Sequence, residues 1–380
     1  MRFNTRVLHD GQPPDPFTGA VNPPIYLSST YRQIAPNRNQ GWVYGRSGNP
    51  TRAVLETTLA RLEGGATGLA FGSGLGALTT LLESIPSGRR IVSVDDVYGG
   101  TWRLFEHHRR QFGLRVDYID MTDLDRLRNA LSEPAALVYL ETPTNPLLKL
   151  VDIPGAVRLA RAAHARVAVD NTFATPALQR PIEMGADIVL HSTTKYLGGH
   201  SDIVGGALVL RTPKLGERFT WLQNAVGAVP SPFDCFLTLR GIHTLGVRMR
   251  AHGASARRVA DALAEARGVN WVAYPGLRTH PQYALARRQM DGFGGMVSVE
   301  LAGGKRAALR FLKRLKVFTL AESLGGVESL VEHPATMTHA SVPRAEREAH
   351  GVTDGLVRLS CGIEDPADLV EDVTRALRGL

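Results

Sequence analysis

Short apolar segments that alternate with helical stretches constrain the fold of this chain more than any other feature. They occur at residues 91–94, 137–140, 167–169 and 188–190, and each ends in polar residues. Continuous apolar runs that are separated by helices are typical of strands buried on both faces of a parallel sheet. We therefore predict an open α/β sheet over residues ~50–215, with its functional groups at the carboxyl ends of the strands.

The segments on either side of this region differ from it in character. Residues 1–48 are rich in Pro, Asn and Gly, and we expect an irregular arm that wraps another surface. We assign residues 49–240 to the α/β domain. Residues 241–380 mix strand-like and helical patterns, so we expect a smaller α+β domain there. A long helix is predicted from about Thr238 to Ala266.

The net charge of +8 leaves nucleic acid, a membrane surface and anionic small molecules open as partners. The basic residues within 305–316 alternate with apolar ones at helical spacing, which indicates a solvated helix face, and we predict no nucleic-acid partner. The longest uncharged window, residues 64–82, has six Gly and only nine apolar residues, so we predict no membrane span. Without a signal-peptide pattern we expect a cytoplasmic protein. The cysteines and histidines form no metal-binding motif.

Lys195 follows one of the apolar runs, close behind the hydroxyls of Ser192 and Thr194. A low-dielectric cleft would favour the neutral amine that a Schiff base requires, and the hydroxyls could bind a phosphate. Asp170 ends another run 25 residues earlier, a distance of one βαβ step. Its carboxylate needs a cationic partner if it is buried. A surface lysine and a structural aspartate remain the alternatives for these two residues.

Glycines at residues 72–76 open a predicted helix, and such a turn exposes backbone N–H groups that can bind an anion. Tyr98 and Asn145 each follow a further predicted strand. Tyr98 could lie over a flat ring or pack on the core. The prolines that flank Asn145 could direct its side chain into the cleft.

These motifs in this order resemble the Cys/Met metabolism family of pyridoxal-phosphate (PLP) enzymes, and the resemblance covers essentially the whole chain. The motifs are YGRSGNPT (44–51), YGGT (98–101), ETPTNP (141–146), DNTF (170–173), STTKY (192–196), LAESLGG (320–326) and VRLS (357–360). The resemblance implies fold type I of the PLP-dependent transferases, an α/β fold with a mostly parallel large domain and a smaller α+β C-terminal domain. It also implies a homotetramer, built as a dimer of dimers.

The resemblance implies a cofactor role for several of these residues. Lys195 would bind PLP covalently and transfer protons, and Asp170 would pair with the pyridine nitrogen. Tyr98 would stack on the ring and assist proton transfer. The phosphate would be bound within one subunit by Gly74, Leu75, Ser192 and Thr194. Tyr44 and Arg46 would come from the neighbouring subunit, so that each active site is shared across a dimer.

The substrate would be an α-amino acid. Arg358 would bind its α-carboxylate, with Asn145 and Ser323 helping to position it. The position of Glu322 is typically glutamate in family members that act at Cγ, where a carboxylate can hold the distal amino group of cystathionine. The resemblance thus implies cleavage of L-cystathionine at the Cγ–S bond to cysteine, 2-oxobutyrate and ammonia. A cystathionine γ-synthase or acyl-homoserine sulfhydrylase stays open, with a basic nucleic-acid-binding protein as the remote alternative.

Overall fold

Seven strands of the first half of the chain form one mostly parallel sheet in the computed structural model, which describes residues 1–379. The strands are β1 (Thr67–Phe71), β2 (Arg90–Val94), β3 (Arg115–Ile119), β4 (Leu137–Glu141), β5 (Arg166–Asp170), β6 (Ile188–His191) and β7 (Gly206–Leu210). Their order is β1-β7-β6-β5-β4-β2-β3, and β7 runs in the direction opposite to that of the other six. The α/β sheet that the apolar runs predict is confirmed.

Helices lie before, between and after these strands, and most of them pack on the sheet. They are α1 (Phe3–His9), α2 (Pro50–Glu63), α3 (Gly74–Leu82), α4 (Gly99–Phe112), α5 (Leu124–Ala130), α6 (Ile153–Ala162), α7 (Thr175–Leu178) and α8 (Pro213–Val226). Local sequence sets their ends. Asn49 caps α2 with its side chain, and Gly64 ends that helix in the left-handed conformation at φ 78°. The core between sheet and helices holds large side chains such as Phe105, whose ring meets Tyr139 edge-on.

The second half of the chain forms a smaller, mostly antiparallel sheet of order β10-β11-β12-β9-β8. Its strands are β8 (Val269–Ala273), β9 (Met296–Leu301), β10 (Thr319–Leu320), β11 (Leu330–Glu332) and β12 (Leu356–Ser360). The helices of this half are α9 (Pro232–His243), α10 (Leu245–Ala264), α11 (Tyr283–Gln289), α12 (Gly304–Arg314), α13 (Arg344–Ala349) and α14 (Pro366–Leu377), with a 3₁₀ turn at Pro334–Thr336.

The two faces of strand β12 have different environments. Val357 and Leu359 belong to the apolar core that α10, α12 and α14 form with this sheet. Arg358 lies between them in sequence, so its side chain points to the opposite face of the sheet. That face lines the cleft described below. The period of two along a single strand therefore separates the core of the C-terminal half from a functional surface.

Two expectations about secondary structure are wrong in part. The arm is not irregular throughout, because residues 3–9 form α1 and bury Val7. The long helix near Thr238 is two helices, and it begins earlier, where Ser231 caps α9. The break lies at Thr244, where Arg248 binds the freed carbonyl of Gly241 at 2.6 Å and the Thr244 hydroxyl at 2.9 Å. A buried arginine thus supplies hydrogen bonds that a continuous helix would have made internally.

Candidate functional site

A cleft of about 370 Å³ lies where the carboxyl ends of the parallel strands meet the smaller sheet. It brings together residues that lie far apart in sequence. Those of the predicted site residues that line it are Gly74, Leu75, Tyr98, Asn145, Asp170, Ser192, Thr194, Lys195, Glu322, Ser323 and Arg358. The first eight come from the large domain and the last three from the C-terminal half. The carboxyl-edge rule for parallel strands therefore locates the cleft correctly.

Lys195 extends from the large domain toward the C-terminal half. Its Nζ donates a hydrogen bond to Oγ of Ser323 at 2.8 Å. Burial, assisted by the positive charge of Arg358, lowers the pKa of Lys195 to about 8. Roughly a tenth of this amine is therefore uncharged at pH 7, far more than for an ordinary lysine, and an uncharged amine can act as a nucleophile or a base.

Asp170 ends β5 beside β6, the strand that leads to Lys195. Its carboxylate accepts hydrogen bonds from the backbone N–H of Thr172 at 3.0 Å and from the Tyr139 hydroxyl at 3.5 Å. Burial raises its pKa. Within residues 1–379 no Lys, Arg or His side chain forms an ion pair with it. The cleft thus contains a partly buried carboxylate that a cationic group of a ligand can satisfy.

The amino terminus of α3 lies beside the same strands and begins at a glycine-rich turn. Ser73 caps this helix, its Oγ accepting from the N–H of Gly76 at 2.9 Å. Space at Gly74 is tight, because a Cβ at this position would lie 3.1 Å from the Cβ of Ser192. The open backbone at Gly74 and Leu75 and the hydroxyls of Ser192 and Thr194 line one end of the cleft. Such a group of donors suits a phosphate.

Arg358 is held in place on the opposite wall. Its Nη1 donates to Oδ1 of Asn145 at 2.7 Å, and its Nη2 donates to the carbonyl of Ser323 at 3.0 Å. Ser323 adopts a positive φ of 93°, a conformation unusual for a residue other than glycine. The backbone turn at Ser323 therefore presents its carbonyl to the guanidinium and its hydroxyl to Lys195 at once.

Comparison with known proteins identifies the family. Residues 4–378 match the model of the Cys/Met metabolism PLP-dependent enzymes. The chain belongs to this family. A cystathionine β-lyase of Coxiella burnetii is 50% identical over 377 residues, which cover 99% of this chain and 97% of that protein. A cystathionine γ-synthase of Mycobacterium bovis is 51% identical over 375 residues, covering 98% and 96%.

A solved relative agrees in fold as well as in sequence. The crystal structure of cystathionine γ-lyase from Lactobacillus plantarum, complexed with L-serine, has a TM-score of 0.96 and 44% identity, and the match covers 99% of this chain and 98% of that one. Three relatives of near-equal similarity thus carry names of three different activities. The chain is a PLP-dependent enzyme of cystathionine metabolism, and similarity alone leaves the bond that it acts on open.

The residues of the cleft fit the family's cofactor. A pyridinium nitrogen would satisfy the partly buried Asp170, which has no cationic partner of its own among the described residues. The turn at Gly74 leaves room that a side chain would fill. Lys195 has the lowered pKa that covalent capture of an aldehyde requires. Cation, phosphate and aldehyde are the three features by which a protein can recognise PLP.

Tyr44 and Arg46 lie outside the cleft of their own chain. Both are exposed, and the guanidinium of Arg46 lies over the Tyr44 ring, with its Cζ 5.7 Å from the ring centroid. The arm before them exposes large apolar side chains, including Phe17, Val21 and Leu27. The prediction that these two residues complete the cleft of a neighbouring subunit remains a prediction.

Sequence reasoning missed two buried carboxylates beside the cleft. Glu141 ends β4 and accepts from the N–H of Tyr98 at 3.1 Å and of Asn145 at 2.9 Å. It could have been found, because it ends a predicted strand as Asp170 does. Glu332 lies 3.0 Å from Arg358. Its local sequence carries no sign of that pairing, which depends on the register of β11 against β12.

The described chain offers neither a membrane-spanning helix nor a metal site. Within residues 1–379 no helix is long and apolar enough to cross a bilayer. The same residues contain no group of three or more His, Cys, Asp or Glu side chains placed to hold a metal ion. Cys235 and Cys361 are both buried as free thiols.

Proposed function

We propose that this enzyme cleaves L-cystathionine at the Cγ–S bond. One water is consumed, and cysteine, 2-oxobutyrate and ammonia are released. The observation that carries the proposal is Glu322, an exposed carboxylate on the wall of the cleft that also holds Arg358. A substrate with an amino-acid group at each end can place its α-carboxylate on Arg358 and its distal ammonium near Glu322.

The large domain supplies the groups for proton transfer. When PLP is bound, it supplies an electron sink that stabilises negative charge at Cα and Cβ of the substrate. Asp170 keeps a proton on the pyridine nitrogen, and backbone N–H groups at Gly74 and Leu75 with the Ser192 and Thr194 hydroxyls hold the phosphate. Lys195 would hold the cofactor until substrate arrives. Its amine could then remove the proton at Cα and, once it has passed that proton on, the proton at Cβ.

Tyr98 lines the cleft and is partly exposed, with 37% of its surface accessible. Burial of the hydroxyl end raises its pKa, so the phenol keeps its proton at neutral pH. It can then donate this proton to the sulphur as the Cγ–S bond breaks. Glu141 binds the backbone N–H of Tyr98 and so fixes the turn from which the ring extends.

The nearest competing function is cystathionine γ-synthesis from an activated homoserine and cysteine. Glu322 favours it as well, because the same carboxylate could hold the amino group of the incoming cysteine. The γ-lyase needs cystathionine alone. The synthase needs two substrates, one with a leaving group at Cγ.

Product identification separates these reactions. We expect PLP-loaded enzyme incubated with L-cystathionine alone to yield cysteine and 2-oxobutyrate. Homocysteine and pyruvate would instead mean cleavage at Cβ and would overturn the assignment of Glu322. If neither pair forms, while O-acylhomoserine and cysteine together yield cystathionine, the enzyme is the synthase.

A further inference from the structure

Glu332, whose carboxylate lies beside Arg358, is buried. Glu332 lies directly opposite Arg358 on the antiparallel strands β11 and β12, and its Oε1 is 3.0 Å from Nη1 of the guanidinium. The Thr338 hydroxyl donates to the same oxygen at 2.9 Å. Both charged side chains are almost completely removed from solvent. In the described chain, Oε2 of Glu332 and Nε of Arg358 have no hydrogen-bond partner.

Glu332 differs from the other charged groups near Arg358. Glu322 is exposed, so water screens its charge. Lys195 carries the same sign as Arg358 when it is protonated. Glu332 is therefore the buried negative charge that compensates Arg358 within residues 1–379. A buried guanidinium without such a partner would be strongly disfavoured.

We propose that Glu332 acts through Arg358 as its resident counter-ion and thereby limits how tightly the cleft holds an α-carboxylate. The inference rests on the proposed role of Arg358 in substrate binding. In the free enzyme Glu332 neutralises the guanidinium. When an amino acid binds, two carboxylates face one cation, and their mutual repulsion offsets part of the attraction. The substrate carboxylate is then held loosely enough to leave.

A purely structural role predicts the opposite effect on binding. Arg358 has two further anchors, the Asn145 side chain and the Ser323 carbonyl, that survive a change at position 332. Glu332→Gln retains the shape and one acceptor but removes the charge. In the free variant, Arg358 then has no negatively charged partner, and a bound carboxylate supplies one. The variant should therefore bind carboxylates more tightly, whereas loss of support alone would weaken binding.

The test compares two ligands that differ only in the α-carboxylate, L-alanine and ethylamine. Neither has a leaving group, so each can be titrated into PLP-loaded enzyme and followed by cofactor absorbance. We expect Glu332→Gln to lower the Kd of L-alanine by roughly tenfold and to leave that of ethylamine within about twofold. In thermal unfolding, L-alanine should raise the Tm of the variant more than that of the wild type.

A matched control comes from the same sheet. Glu300 on β9 is also buried, lies opposite Leu356 on β12 and accepts a hydrogen bond from Thr353. Glu300→Gln should leave both Kd values unchanged. If Glu332→Gln does not fold, Glu332→Asp retains the charge but withdraws it by one methylene. L-alanine should then bind about two- to threefold more tightly.

The outcomes separate this inference from the proposed function. If wild-type enzyme binds L-alanine no better than ethylamine, Arg358 does not bind the carboxylate, and the counter-ion role fails with it, while the cleavage reaction is judged by its products. If the wild type prefers L-alanine but the 332 variants leave that preference unchanged or reduce it, the role of Arg358 stands and the counter-ion role is overturned.

Discussion

The two walls of the cleft differ in how their charged side chains are compensated. The large-domain wall carries a carboxylate at Asp170 without a cationic partner of its own in the described chain, hydroxyls, and a helix amino terminus. The C-terminal wall carries Arg358 already compensated by Glu332. On the large-domain wall the charge has no partner until a ligand supplies one. Such a wall suits a ligand that stays bound. A wall whose charge is already satisfied suits a ligand that must exchange at every turnover.

This contrast assigns different kinetic consequences to the two walls. Changes in the large-domain wall should affect the chemical step and cofactor retention, and changes in the C-terminal wall should affect substrate binding and selectivity. The contrast fails if large-domain variants change only KM, or if C-terminal variants abolish turnover at saturating substrate.

The largest effect is expected for Lys195→Ala. Loss of the amine removes both the covalent anchor and the base, so turnover of L-cystathionine should fall by ~10³-fold or more. Release of 2-oxobutyrate measures it. Lys149→Ala is the control, because Lys149 pairs with Asp95 outside the cleft and should leave the cofactor absorbance unchanged. Near-normal activity in Lys195→Ala would end the assignment.

Asp170→Asn removes the charge that faces the pyridine nitrogen but keeps the side-chain shape. The ring then loses its proton and its capacity to accept electrons, and kcat should fall by ~10²-fold with little change in KM. Steady-state kinetics measures kcat and KM separately and so tests this prediction. The control is Asp117→Asn on the edge strand β3, whose carboxylate pairs with Arg90 instead. A rise in KM without a fall in kcat for Asp170→Asn would contradict the contrast between the walls.

Arg46→Ala tests whether a second copy of the chain extends the large-domain wall. Its exposed guanidinium should contact the phosphate in a neighbouring subunit, so cofactor retention on dialysis should weaken by roughly tenfold or more. Mixing this variant with Lys195→Ala under conditions of subunit exchange should restore about a quarter of the sites. If no activity returns in exchanged dimers, the sites are not shared.

Glu322→Gln should act on selectivity. Loss of the charge that faces the distal ammonium should raise KM for L-cystathionine by roughly tenfold and leave L-homocysteine, which lacks that ammonium, nearly unaffected. Comparison of kcat/KM for the two substrates measures the effect. Glu328→Gln in the same loop, where the carboxylate accepts from Ser201, is the control. An equal loss of kcat/KM for both substrates would show that Glu322 does not bind the distal ammonium.

The smallest effect concerns pH and cofactor capture. Only the neutral amine of Lys195 can attack an aldehyde, and burial lowers its pKa to about 8. The rate at which cofactor-free enzyme binds PLP covalently should therefore rise about fourfold from pH 7.5 and level off above about pH 9. Stopped-flow absorbance measures this rate. A rise that continues to the ordinary pKa of lysine would show that the amine is not desolvated.

Much of the large-domain wall could be predicted from the sequence. Asp170, Lys195, Tyr98 and Asn145 all follow strands or predicted strands, and parallel strands place their carboxyl ends at one edge of a sheet. The helix boundaries that are set by local signals, such as the Asn49 cap of α2, could be predicted in the same way. These features depend on residues that are close together in sequence, so they can be predicted before the fold is known.

The tertiary structure decided what local sequence does not encode. Glu332 meets Arg358 only because β11 pairs with β12 in one register, and a shift of one residue would move their side chains to opposite faces. At the break at Thr244, Arg248 joins the two helices to a distant segment, since it also binds the carbonyl of Tyr196 at 2.7 Å. The sequence by itself determined the strands, their chemistry-bearing ends and the family. The pairing of charges across the C-terminal wall came from the fold, because it joins residues whose contact depends on long-range packing.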